Sequence, residues 1–291
     1  MRQNVCISWL RRWRRKPGAM LMSLLTKVAI AVTIGSLLWI LLYILINGIP
    51  HLRWDLIFGP YSADNPSMSF SIVTTVILVA LCLAIAAPIG ICSAIYLTEY
   101  AKRGNRLVRV IRLTTETLAG IPSIVYGLFG ALFFGNTLGF GYSILTGALT
   151  VSIMILPIII RSTEEALKSV PDSYREGSFG LGASKLRTVM RIVLPSAASG
   201  IFSAVILSIG RIVGETAALI FTLGSVAKFP QTLMDSSRTL AVHMYISTRD
   251  GGMAGRNLAF ATGVILIVIV LLISLLTAYL SKKAGGTNRE D

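Results

Sequence analysis

Two charges stand where water is scarce. Arg211 and Glu215 lie within LSIGRIVGETAALIFT (Leu207–Thr222), an otherwise apolar run. A charged side chain at the centre of a membrane helix costs about 2.5–3.5 kcal/mol on insertion scales, so such residues face a bundle interior or an aqueous path. Four apart on one helix, the two share a face and can reach each other. A guanidinium at that depth could replace part of the hydration of an oxyanion, because its planar fork fits the oxygens and it stays charged. The carboxylate would temper the attraction, since passage needs release as well as capture. A structural ion pair that locks two helices is the competing reading. Gly210, Gly214, Ala217, Ser199 and Ser203 form a small stripe beside the pair. Such a stripe lets a neighbouring helix approach closely, so the face is expected to be buried or to line a cavity. Other chemistry is sparse. His51 and His243 are far apart, and Cys6, Cys82 and Cys92 show neither metal-ligand spacing nor a disulfide framework. No nucleophile and base stand in a catalytic pattern, so the chain does not read as a conventional enzyme.

The elements that must hold this pair are membrane helices. The 291 residues are 54% hydrophobic and 14% charged, with a mean hydropathy of +0.74. Soluble domains are nearer a quarter charged, which points to an all-α polytopic membrane protein. A net charge of +14 could suit nucleic acid, but the basic residues lie in blocks between apolar runs, where membrane proteins keep cytoplasmic anchors. Six segments are long and apolar enough to span, at about 21–46, 70–97, 115–135, 141–160, 196–222 and 258–280. The third is the weakest, with Gly120, Pro122, Gly127 and Gly130 inside it. Pro122 removes one helical hydrogen bond, so Ser123 and the backbone beside it form a second candidate contact with a substrate or water. The first apolar run follows RRWRRK (Arg11–Lys16) and is too long for a signal-peptide core, so it is expected to stay as the first helix. On this topology 21 Lys and Arg fall on one side and five on the other, which puts both termini in the cytoplasm. The division is a basic N-terminus (1–20), a first helix with an outer loop (21–69), a core (70–280) and a tail (281–291). Turn-rich residues 47–69 and polar residues 223–257 lie outside.

One cytoplasmic stretch within 161–195 has a pattern of its own: VPDSYREGSFGLGASKLRTVMRIVLPSAASG (Val170–Gly200). Asp172 or Ser173 could cap a helix that runs through Phe179. Gly180 and Gly182 can break it, and a second helix is expected from about Ser184 to Val193. This is a compact projection between two spans, or else a plain solvated connector.

Here the sequence resembles the importer permeases of the ATP-binding cassette class. Their motif is Glu-Ala-Ala, three residues, Gly, nine residues, then Ile-x-Leu-Pro. This chain has Glu176-Gly177-Ser178, three residues, Gly182, nine residues, then Ile192-Val193-Leu194-Pro195. Every spacing agrees, and small residues replace the two alanines. The resemblance implies the type I importer permease fold, and a loop whose Arg175, Glu176, Ser178 and Gly182 couple to a separate ATPase. It further implies that ATP and magnesium are bound by that ATPase and that no cofactor resides in this chain, which has no Walker A sequence. GICSAIYLTEYA, AGIPSIVYGLFG and GRIVGETAALIFT are similar to the A-type permease of the phosphate-specific (Pst) branch. That likeness covers roughly residues 70–222. It implies a heterodimer with a homologous C-type permease, two copies of a cytoplasmic ATPase, an extracytoplasmic phosphate-binding protein, and residence in a bacterial inner membrane. In this branch the Arg–Glu pair is associated with transport. Permeases for molybdate or sulfate share the coupling motif. An ion-coupled secondary transporter would explain the buried charges but not that motif, and a membrane scaffold would leave the pair structural. Glu99 and Glu116, near cytoplasmic helix ends, are expected to make water-screened interfacial pairs.

Overall fold

The computed structural model describes residues 17–62, 65–102 and 104–285. The basic block Arg11–Lys16 lies outside them, as do most of the 1–20 segment and the end of the tail. The main helices are α1 (Pro17–Gly48), α2 (Ser69–Ile95), α3 (Arg106–Ala119), α4 (Ser123–Gly130), α5 (Ile144–Lys168), α6 (Asp172–Gly180), α7 (Leu194–Gly214), α8 (Ala217–Thr222), α9 (Leu240–Asp250) and α10 (Gly252–Gly285). No strand occurs among the described residues. Among the described residues, five helical segments are long and apolar enough to cross a membrane, built on α1, α2, α5, α7 and α10. A sixth crossing exists only if α3 and α4 count as one bent span.

The centre is α5, packed between α2 and α7. Leu78, Val79 and Cys82 of α2 meet Val151 and Ile155 of α5, with Ile209 and Ile212 of α7. These apolar positions recur at helical spacing, so each helix offers a stripe to its neighbour. The α1 helix is different. Its apolar length is exposed from Leu21 to Ile46, and it leans on α10 near its C-terminal end, where Tyr43 meets Phe260 edge to face at 5.6 Å. Exposure of that kind suits lipid tails, which are as apolar as the side chains they meet.

Two expected spans are broken, each for a local reason. The 115–135 segment is not one straight helix, because α3 and α4 meet at 102°. Pro122 is extended (φ −59°, ψ 140°) and starts α4. The Leu118 carbonyl accepts from the Ile121 N–H at 3.1 Å and from the Tyr126 hydroxyl at 2.8 Å, so the acceptor at the break is satisfied. Arg106, Arg109, Arg112 and Glu116 make α3 too polar for the hydrocarbon layer, while Leu107, Val110 and Leu113 are exposed. That pattern suits a helix lying along a membrane surface. The 196–222 segment likewise ends early, at Gly214, and resumes as α8.

The other differences lie at the ends of elements. Lys185–Gly214 runs as one helical segment, so the expected second loop helix is the first part of the fifth span. A wide π-type turn at Val189–Val193 precedes Pro195. It accommodates the donor that proline lacks. Neither Asp172 nor Ser173 caps α6. Pro171, extended at ψ 140°, leads into it with no side-chain cap. The 223–257 segment is not all loop, since it holds α9 and the start of α10. His243 on α9 is fully buried. Burial and the nearby Arg238 push its pKa down to about 3, so it stays neutral at physiological pH.

Candidate substrate path and coupling loop

The two breaks are brought together. The α4 helix packs on α8 so tightly that a Cβ at Gly127 would lie 2.7 Å from the Ala218 Cα. The interrupted spans therefore share one wall. Unwound backbone at membrane depth survives only against protein or a water-lined cavity, and paired broken helices of this kind form the sites of many transporters.

Arg211 and Glu215 do not share a helix face as expected. Glu215 is already extended (φ −70°, ψ 128°) beyond the end of α7. Its Oε1 accepts from the Ala218 N–H at 3.0 Å, and the residue is 8% exposed. A carboxylate at the start of a helix satisfies an orphan donor and complements the positive end of the dipole. Glu215 is thus committed to starting α8. Arg211 sits in the last turn of α7, where a cation complements the negative end. It makes no ion pair among the described residues, and it is within electrostatic reach of the Tyr126 phenol.

The expected small stripe is real but open. Ser199, Ser203, Leu207, Gly210, Arg211 and Gly214 are all exposed along one side of α7. In the single chain this face is not buried. An exposed guanidinium some 25 Å along the helix from Leu194, at about 1.5 Å per residue, needs a polar cover such as a second subunit or water. Ser123 is half-buried at the start of α4, on the element that carries Tyr126. Tyr126 was not among the residues singled out from sequence. The signal for it is a tyrosine in an apolar run four residues past a proline, because a buried phenol takes a partner.

The loop is a helix–turn–helix. The α6 helix ends at Gly180, and Gly182 turns the chain with a φ of +79°, a conformation that glycine adopts without steric cost. Glu176 is exposed, as are Tyr174, Phe179, Leu181 and Leu186, and Leu181 is 92% exposed. Projecting apolar side chains rimmed by charge mark an interaction face. Ser178 points inward, its Oγ 2.8 Å from Thr188 Oγ1, and so pins the two helices together. Arg175 also turns inward. Nη2 meets Glu99 Oε1 at 2.7 Å, and Nε reaches both Glu99 oxygens. Nη1 and Nη2 donate to the Val170 and Leu167 carbonyls at 2.8 and 2.9 Å. Nη1 also donates to Asp172 Oδ1 at 3.2 Å. These bonds to Glu99 hold the guanidinium's pKa above its ordinary value, against the opposing effect of burial. With the Glu99 side chain 7% exposed and that of Arg175 14% exposed, this is a buried pair rather than a water-screened one. It ties α6 to the C-terminal end of the second span.

A multi-span helical bundle with two broken helices at one wall and a helix–turn–helix projecting beyond the membrane defines an importer-type permease subunit. The chain belongs to the family described as binding-protein-dependent transport system inner membrane component, which it matches over residues 86–286. It is 33% identical over 273 residues to the Probable ABC transporter permease protein YqgI of Bacillus subtilis, covering 86% of this chain and 90% of that one. It is 30% identical to the Phosphate transport system permease protein PstA of Haemophilus influenzae, covering 92% of this chain and 95% of that one. Among solved structures, its fold is similar to a chain of a bacterial alginate ABC transporter in complex with a periplasmic protein. The TM-score is 0.68 at 15% identity, over 94% of this chain and 98% of that one. The type I importer permease fold and a multi-pass place in the inner membrane follow.

Proposed function

We propose that this chain is the A-type permease of a phosphate importer. The observation that supports this reading is the likeness to a phosphate permease over nearly the full length of the chain, together with a helix–turn–helix that carries the coupling motif. The partners in this reading are a homologous C-type permease against the open face of α7, two ATPase copies under α6, and a phosphate-binding protein outside. ATP and magnesium belong to the ATPase. Both termini lie in the cytoplasm, as the distribution of Lys and Arg supports. Arg211 lines the phosphate path, with Ser123 and Tyr126 on the neighbouring broken helix. Glu215 holds the break open by capping α8.

Proteoliposomes carrying both permeases, the ATPase and the binding protein should accumulate phosphate only with ATP inside. Accumulation of molybdate or sulfate in preference to phosphate would reassign the anion. Uptake driven by an ion gradient without the ATPase would overturn the class. Within the same preparation, Glu176→Lys should weaken ATPase co-purification about tenfold, the effect of losing roughly 1.4 kcal/mol at an interface. Full co-purification with full uptake would remove Glu176 from the docking surface.

A further inference from the structure

A cavity of about 470 Å³ opens at the cytoplasmic ends of α2, α3 and α5, within the range of small-molecule sites. Lys102, Arg112, Lys168 and Arg175 line it, with Glu99 and Asp172. Arg175 is engaged by those two carboxylates. Arg112 and Lys168 both reach a single oxygen, Glu164 Oε1. Lys102 is exposed and makes no ion pair among the described residues. Among the described residues, four cations and two carboxylates line the cavity, and Glu164 outside the lining pairs with Arg112 and Lys168. The donor surplus is larger, because an ammonium carries three N–H groups and a guanidinium five, and Arg112 and Lys168 use few of theirs. The Thr98 hydroxyl also lines the cavity, buried and without a hydrogen-bond partner. The acceptors of the wall, Glu99 and Asp172, are taken up by Arg175, while donors of Lys102, Arg112 and Lys168 stay open.

We propose that this cavity binds a phosphate-class oxyanion from the cytoplasmic side. Its oxygens take the open donors of Lys102, Arg112 and Lys168, as charge-assisted hydrogen bonds require. Lys102 lies three residues past Glu99, which grips Arg175 of α6, so the bound anion ties the chain after α2 to α3 and α5 and steadies the anchor of the coupling helix. Occupancy then stiffens the element that meets the ATPase. Binding does not depend on the transport reading, whereas its effect on coupling rests on the ATPase-docking role of α6. Two sources carry the same chemistry, free inorganic phosphate and the phosphodiester of an anionic lipid headgroup.

The test uses the complete nucleotide-free complex in nanodiscs of zwitterionic lipid, with amide hydrogen exchange read across α6. Inorganic phosphate, against chloride at equal ionic strength, should slow exchange in Asp172–Gly180 by about threefold or more, and Lys102→Gln should remove the effect. Protection that instead requires phosphatidylglycerol, and is also lost in Lys102→Gln, assigns the site to the headgroup. No protection from either source overturns the proposal, and so does protection that survives Lys102→Gln. Uptake is measured in parallel. Phosphate uptake without protection sinks this inference alone, and protection without uptake sinks the transport reading alone.

Discussion

The complex carrying Arg211→Gln is expected to assemble with its ATPase and to import phosphate about a hundredfold more slowly than wild type. The size follows from the loss of a charge-assisted contact worth about 3 kcal/mol, at ~1.4 kcal/mol per tenfold. Assembly should persist because Arg211 makes no ion pair whose loss would strand a buried carboxylate among the described residues. Glutamine keeps much of the volume and can donate to one oxygen, but it brings no charge and no fork. Arg211→Lys separates these two properties. It keeps the charge without the planar geometry, so its uptake should fall between the other two. Glu215 provides the control. Its carboxylate caps α8 through the Ala218 N–H, and the carbonyl of Glu215→Gln can accept the same bond. That variant should therefore retain most uptake. Equal loss in Arg211→Gln and Glu215→Gln would show instead that the two charges act as a pair, as their spacing first suggested. Normal uptake by a well-assembled Arg211→Gln complex would remove Arg211 from the path. Loss of the whole complex would make its role structural.

The mistake at Glu215 shows where sequence stops. A spacing of four licenses a shared helix face only if the helix continues, and nothing local in GRIVGET forbids continuation. What ends it is tertiary. The α8 helix packs on α4, which itself exists only because Pro122 breaks the chain, and the carboxylate is recruited to start α8. The Pro122 break was legible because proline removes a specific bond. The turn between α6 and the next helix was legible for a similar reason, since Gly182 supplies the left-handed conformation that its position requires. The charges of α3 also stood in the sequence. Reading them only as a basic block between spans hid a helix that carries the start of the third segment away from a straight crossing. Long-range pairs were out of reach altogether. Glu99 and Arg175 are 76 residues apart, and no periodicity links them.

Arg175→Leu is expected to lower the stability of the permease by about 3–5 kcal/mol, because it leaves a buried carboxylate uncompensated. In the native chain the guanidinium meets Glu99, Asp172 and two backbone carbonyls at once. Those carbonyls belong to Leu167 and Val170, where α5 ends and α6 is about to begin. The side chain thus joins three elements: the end of the second span, the end of α5, and α6 itself. Removing it unties the coupling helix from the bundle that it must move, since force passes only through a link that holds one of two positions. ATP hydrolysis should continue while uptake falls. A thermal melt of the purified complex reads the first effect, and the ratio of phosphate imported to ATP hydrolysed reads the second. Glu99→Leu combined with Arg175→Leu should recover most of the lost stability, because an apolar pair of similar volume carries no stranded charge. The double variant tests whether the link must be ionic or only firm. Recovered coupling would mean that firm packing suffices, and stable but uncoupled complexes would mean that the fork's grip on the carbonyls is what transmits motion. Unchanged melting together with loss of the ATPase would place Arg175 on the docking surface instead, beside Glu176.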